Sequence, residues 1–283
     1  MKILLVTDLE GVAGVLNFED WCTPAGRYYE DAKRLLTEEV NAVVDGFFAG
    51  GASLVRVVDG HGHGGINPEL LDERAELLRG APTPNAWPFT LDEGFDGMAW
   101  VGQHAKAGTP YSHLTHTGTF QVKEYTINGT AVGELGQSGM CAFELGVPII
   151  FAAGEEALAR EAEEFAPGVV TCAVKRGCNS EDGLSDVTRQ VYAKSKLAAV
   201  HLAPRKARKL LREAAQKAAE KLRDEPGSFK TNGMMPPYEI KCALRKCEAR
   251  PDMPEALYKR HETSYITALN KPYETEDGVV FKG

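Results

Sequence analysis

The 283-residue sequence predicts an α/β fold: a mostly parallel sheet flanked by helices, with a smaller α+β part at the carboxy end. Three features carry this reading. Strand and helix signals alternate through the first two thirds of the chain. The strand signals are short, largely apolar runs, such as Ile3-Leu4-Leu5-Val6-Thr7 and Val55-Arg56-Val57-Val58, which suit buried strands. Those two runs lead directly into Asp8-Leu9-Glu10-Gly11 and Asp59-Gly60-His61. Carboxylates and an imidazole are thereby delivered to the rim of the sheet, where open α/β folds bind ligands.

The elements follow in order. Residues 2–8 form the first strand. Residues 29–50 form a helix with Ala32, Leu35, Leu36, Val40, Val43 and Val44 on one face at helical spacing, ended by Gly50-Gly51. Residues 53–59 and 98–102 are further buried strands. Residues 119–127 alternate in polarity and reach Asn128-Gly129, a hairpin signal. The return strand is short, and Gly133-Glu134 opens a helix that runs to about Leu145. Residues 147–153 read as a strand, 155–165 as a helix and 169–174 as a strand. The pattern then changes. Residues 184–199 and 204–223 read as helices, the second with Ala207, Leu210, Leu211, Ala214 and Ala218 as its apolar stripe. Asp224-Glu225-Pro226-Gly227 breaks that helix. Residues 237–245 and 263–268 read as strands, and the tail after Lys271 is polar. The predicted division is an α/β domain over 1–175 and a smaller α+β domain or extension over 176–283.

Bulk composition narrows the function. A hydrophobic content of 43% supports a sizeable core and excludes a disordered chain. A net charge of -8 argues against nucleic acid, since there is no basic field to displace counterions. The apolar start is too short for a signal peptide, and no run approaches the roughly 18 apolar residues of a membrane span. The expectation is a cytoplasmic protein without a membrane partner. The six cysteines, Cys22, Cys141, Cys172, Cys178, Cys242 and Cys247, form no C-x-x-C pair and read as scattered reduced thiols.

The polar residues at segment ends suggest a metal. Besides Asp8, Glu10 and His61, the chain offers Gln103-His104, Ser112-His113-Leu114-Thr115-His116 and Gly133-Glu134. Hard oxygen and borderline nitrogen donors gathered from several segments are what a divalent ion needs. Asp8 and Glu10, one residue apart, point the same way on a continuing strand. Both can reach one pair of cations about 3.5–4 Å apart, a spacing that clamps a water and polarises a carbonyl. The glycines at 60, 62 and 64 match no phosphate-loop or dinucleotide fingerprint and read as a turn that frees His61. Glu134 also has a simpler role open to it, as an acid at a helix start.

These segments, taken in order, resemble the zinc D-aminopeptidases of the DppA type. The match runs through Asp8-x-Glu10-Gly11, Asp59-Gly60-His61, Gly102-Gln103-His104-Ala105-Lys106, Thr115-His116-Thr117, and Ile127-Asn128-Gly129 to Val132-Gly133-Glu134-Leu135-Gly136, across roughly residues 1–175. The resemblance implies two zinc ions per subunit held by Asp8, Glu10, His61, His104 and Glu134, with His116 as the catalytic histidine. It implies a metal-binding catalytic domain over 1–175, short peptides as substrates with D-residues preferred, and a homo-oligomer, a decameric ring with its sites facing an inner chamber. Two departures stand out. Val6 occupies a position where the family motif usually carries Ser, leaving Thr7 as the neighbouring hydroxyl. The stretch from Thr109 to His116 is one residue longer than the common spacing and adds His113. His116 is preferred because Thr-His-Thr stands where the family has Ser-His-Thr or Ser-His-Ser. The carboxy third matches poorly, with an insertion around 178–187. The role of His116 stays open among stabilising the tetrahedral intermediate, shuttling a proton and acting as nucleophile. The rival readings are a metal-dependent amidohydrolase or phosphoesterase and a non-catalytic metal- or peptide-binding protein. A phosphoesterase calls for a cation near the metals, for which Lys106 and Arg56 are the near candidates.

Overall fold

The computed structural model describes residues 1–281. The first apolar run forms β1 (Lys2–Thr7), followed by α1 (Phe18–Trp21), α2 (Tyr29–Ala49), β2 (Leu54–Val58), β3 (Glu76–Leu78) and β4 (Gly97–Gln103). The hairpin β5 (Val122–Ile127) and β6 (Thr130–Ala131) leads into α3 (Glu134–Leu145), β7 (Ile149–Glu155), α4 (Glu156–Phe165) and β8 (Val170–Gly177). The remainder comprises α5 (Arg189–Ser195), β9 (Ala199–His201), α6 (Pro204–Asp224), β10 (Tyr238–Leu244), β11 (Ala256–His261) and α7 (Tyr265–Asn270).

Seven strands build the main sheet in the order β3-β2-β1-β4-β7-β8-β9. Every pairing is parallel except β8 with the edge strand β9. β1 alternates between two apolar layers, which is why its sequence is apolar at every step. Ile3 and Leu5 enter the layer that holds α2 and α6, while Leu4 and Val6 enter the layer that holds α3, α4 and the second sheet. Each of these buried aliphatic side chains contributes up to about 1.5–3 kcal/mol. α6 lies close against α2 at Gly46, where an added Cβ would stand 2.3 Å from the Arg212 carbonyl oxygen. The second sheet is antiparallel, β11-β10-β5-β6, so residues on both sides of position 175 contribute to both sheets.

β1 and β4 are neighbours from which the chain runs out in opposite directions, toward β2 and β3 on one side and β7 and β8 on the other. That is a topological switch point, and the loops beyond the carboxyl ends of these strands leave a crevice there. Asp8 and Glu10 follow β1, His61 follows β2 and His104 follows β4. Gly102 permits the crowding: its φ is +72°, and an added Cβ would stand 2.0 Å from the Asp8 carbonyl oxygen.

Two sequence expectations differ from the structure. The helix expected over 184–199 is confined to α5, and residues 199–201 form the edge strand β9. The strand expected over 263–268 is instead the start of α7. Ser264 caps that helix by accepting the Thr267 N–H, and the Glu144 carboxylate accepts the N–H groups of Tyr265 and Ile266. The last strand lies earlier, at β11. Among the described residues no helix is long and apolar enough to cross a membrane, and all six cysteines are unpaired.

Candidate active site

Asp8, Glu10, His61, His104 and Glu134, far apart in sequence, come together at the switch point. His61 Nδ1 lies 3.0 Å from Asp8 Oδ1 and 3.3 Å from Glu10 Oε2. His104 Nε2 lies 3.3 Å from Asp8 Oδ2 and 3.5 Å from Glu134 Oε1. His116 Nε2 is 3.9 Å from the same Glu134 oxygen. Asp8, Glu10 and the three histidines are buried, and Glu134 is partly open. Two trios share His104: the donor atoms of Asp8, Glu10 and His104 lie within 4.8 Å of one another, and so do those of His104, His116 and Glu134.

The imidazoles are oriented for ligation. His104 Nδ1 lies 2.9 Å from the Ala105 carbonyl, His116 Nδ1 2.7 Å from that of Leu114, and His61 Nε2 2.7 Å from that of Cys22. A carbonyl only accepts, so each of these nitrogens carries the proton. The other nitrogen of each ring faces the carboxylates. Without a second proton it aims a lone pair at oxygen lone pairs, an arrangement that needs a positive charge between them. Glu10 Oε2 and His104 Nε2 are buried with no hydrogen-bond partner. Two buried lone pairs, one on oxygen and one on nitrogen, with no proton between them fit a divalent cation.

The electrostatics agree. In the metal-free polypeptide, burial alone would depress His61, but Glu10 and Asp8 outweigh it and push the imidazole up to about 12. His104 is raised for the same reason, burial being overcome by Glu134 and Asp8. Burial would raise Asp8, but His104 and His61 hold it well below the usual carboxylate range. The cluster therefore draws protons that a cation can replace. His116 behaves differently. Burial and then the positive His104 lower its pKa, so it stays neutral.

Supporting residues fix this geometry. The Gln103 amide donates to Asp8 Oδ2 at 2.9 Å and Glu134 Oε2 at 3.2 Å, tying two carboxylates from different elements together. The Glu155 carboxylate, buried at the end of β7, accepts from Ala105 N at 2.8 Å and His113 N at 2.6 Å. The Glu161 carboxylate accepts from Lys106 N at 2.8 Å and Gly133 N at 3.0 Å, joining the His104 loop to the start of α3. Such ties to backbone N–H groups hold loops that have no ladder of their own. The Thr7 hydroxyl donates to the Val58 carbonyl at 3.0 Å rather than to a carboxylate of the cluster. Asp59 instead shapes the turn that carries His61, accepting from Gly65 N at 2.6 Å and Ile66 N at 3.2 Å.

A cavity of about 470 Å³ opens over these donors, walled by Phe18, Trp87, Phe89, Trp100 and Phe120. His116 faces it, with its ring 4.1 Å from that of His104 in a stacked pair and 4.5 Å from Phe120. His113 does not line it. Its side chain is fully buried, and its Nε2 lies 3.0 Å from the Leu16 carbonyl. The two cations named from the sequence are engaged elsewhere. Arg56 pairs with Glu76 and Glu93, and the Lys106 ammonium donates to the Ala131 carbonyl. A larger groove of about 1090 Å³ runs past Lys123, Lys241 and Tyr258 on the second sheet and holds none of these donors.

A parallel sheet with converging carboxylates and imidazoles at its switch point, beneath an aromatic-walled cavity, has the design of a metal-dependent α/β hydrolase. The chain belongs to the peptidase M55 family, the D-aminopeptidases, whose model matches residues 1–253. It is 34% identical over 177 residues to the D-aminopeptidase of Bacillus subtilis (strain 168), an alignment covering 62% of this chain. It spans 64% of the length of that curated relative. Its fold is similar to that of the Zn-dependent D-aminopeptidase DppA from Bacillus subtilis, a self-compartmentalizing protease. The TM-score is 0.75, with 26% identity and 95% of each chain covered.

Proposed function

We propose that this protein is a zinc-dependent aminopeptidase that hydrolyses the amino-terminal bond of short peptides and prefers D-residues. The observation that carries the metal reading is the pair of buried orphan atoms, Glu10 Oε2 and His104 Nε2, at the convergence of five ligand side chains. Asp8, Glu10, His61, His104 and Glu134 hold the metal in this proposal. Asp8, whose Oδ1 faces His61 and whose Oδ2 faces His104, supports two ions per subunit. When bound, zinc supplies a Lewis acid that polarises the scissile carbonyl and makes water acidic near neutral pH.

The chain's own groups do the rest. The cavity closes at the buried Asp8 and Glu10, so it takes the end of a peptide rather than a chain running through, which favours an aminopeptidase over an endopeptidase. The aromatic walls exclude water and take the apolar part of the peptide. His116, neutral and held by its Nδ1–H, presents the Nε2 lone pair as a base for the attacking water and then returns that proton to the leaving amine. The preference for D-residues rests on the family and its relatives. Its test is a matched panel of D- and L-aminoacyl amides and dipeptides, assayed with zinc, after chelation and after zinc is restored. D-Ala substrates are expected to lead. Equal L- and D-rates would remove the stereochemical part, and an inert panel beside an active phosphate ester would favour the phosphoesterase.

Assembly is proposed on the same footing. The fold neighbour is a self-compartmentalizing protease, and a ring, decameric in this proposal, restricts an open hydrolase site to small substrates. Residues 176–283 are proposed as the extension that supplies oligomer contacts. A species near 30.7 kDa at working concentration would reject the ring. Six unpaired thiols, five of them buried, suit the reducing cytoplasm as the compartment.

A further inference from the structure

We propose that Arg189 binds the terminal carboxylate of a short peptide, making the substrate class di- and tripeptides with an unblocked carboxy end. The inference rests on the aminopeptidase reading and extends it to the far end of the substrate. Arg189 is the one Lys or Arg among the described residues that line the cavity. The cavity has a direction. Asp8 and Glu10 at its floor are 5% and 1% exposed, whereas Arg189 is exposed. An aminopeptidase seats the substrate's amino end at the floor, beside the metal site, so the chain runs outward toward the guanidinium. A volume of about 470 Å³ suits a small ligand rather than a long chain.

The guanidinium is also left available. Glu181 and Asp186, the nearby acids in the preceding segment, pair with Lys196 and Lys123. Arg245, on the neighbouring strand end, stacks on Tyr192 and donates to the Leu184 carbonyl. The Arg189 backbone N–H donates to the Lys246 carbonyl at 3.2 Å, fixing the base of the side chain. A planar fork held at its root and, among the described residues, unpaired at its tip matches a carboxylate in bidentate fashion.

The test compares D-Ala-D-Ala with its carboxy-terminal amide, and with D-Ala-D-Glu amide, on the zinc-loaded full chain. The native protein is expected to favour the free acid over the simple amide by roughly 10- to 100-fold in kcat/KM, chiefly through KM, the range of one charge-assisted hydrogen-bonded contact. Arg189→Met should bring that ratio close to one, and Arg189→Lys should restore part of it. Equal rates on acid and amide by the native protein overturn the inference while leaving the aminopeptidase standing. A preference that survives in Arg189→Met also overturns it. A D-Ala-D-Glu amide as fast as the free acid reassigns Arg189 to an acidic side chain and overturns it as stated. If the native protein cleaves none of these substrates, the aminopeptidase reading falls and takes this one with it.

Discussion

Asp8→Asn is expected to abolish detectable turnover and to release bound metal, although the replacement keeps the size and shape of the side chain. The reason lies in how the two oxygens divide. Oδ1 faces His61 and Oδ2 faces His104, so one carboxylate addresses both halves of the cluster. An amide puts an N–H donor where one of those lone pairs stood and removes the negative charge. It can neither bridge two cations nor balance their charge. Gln103→Ala provides the graded control, since Gln103 donates to Asp8 and Glu134 without being a ligand. Removing such an outer partner costs about 10- to 100-fold in metal affinity or activity, and loss of the ligand itself should cost more. Metal content after dialysis, measured beside turnover, checks the order. If Asp8→Asn retains its full complement of metal and its rate, the cluster is not the catalytic centre.

Much of this arrangement is legible in the sequence because buried strands announce themselves. β1, β2, β4, β7 and β8 are apolar runs that stop abruptly at polar residues, and the polar residues at three of those stops are the ones that converge. Hairpin chemistry at Asn128-Gly129 also reads directly: Asn128 has φ +49° and Gly129 φ +80°, the left-handed backbone of a tight turn. What failed was decided by tertiary contacts. Tyr265-Ile266-Thr267 has strand composition, yet the Glu144 carboxylate supplies the acceptor that the start of α7 needs. Packing overrides propensity over so short a segment.

The cavity walls were illegible for a related reason. Phe18 sits on the four-residue helix α1, and Trp87 and Phe89 sit on a loop whose Trp87 backbone is held by the Asn270 side chain, 183 residues away. No local period marks such residues as site-forming. Gln103 stood in a recognised motif, but its role depends on a distance across two elements. Arg189 lies beyond an insertion, where a resemblance gives no guidance.

His116→Ala should reduce turnover by about 10²- to 10⁴-fold, the usual worth of a positioned acid–base group, while the metal content stays unchanged. The side chain is buried between His104 and Phe120, with Nδ1–H held by the Leu114 carbonyl and Nε2 free to take a proton. Burial, reinforced by the positive charge beside it, lowers its pKa below the ordinary histidine value of 6.5. The neutral base therefore persists as pH falls through 6.5 and is lost only at lower pH. The acid limb of kcat/KM is expected below 6.5, and the small activity left in the variant should lack it. His113→Ala should act on stability rather than on turnover. His113 is fully buried, lies outside the cavity and contacts the Leu16 carbonyl, so its removal leaves a void and an unmatched acceptor worth a few kcal/mol. Melting temperature separates the two variants, since His113→Ala should lower it more. Metal analysis supplies the sharper check, because His116 also belongs to one of the ligand trios. An ion lost together with the imidazole would make His116 a ligand rather than the proton carrier.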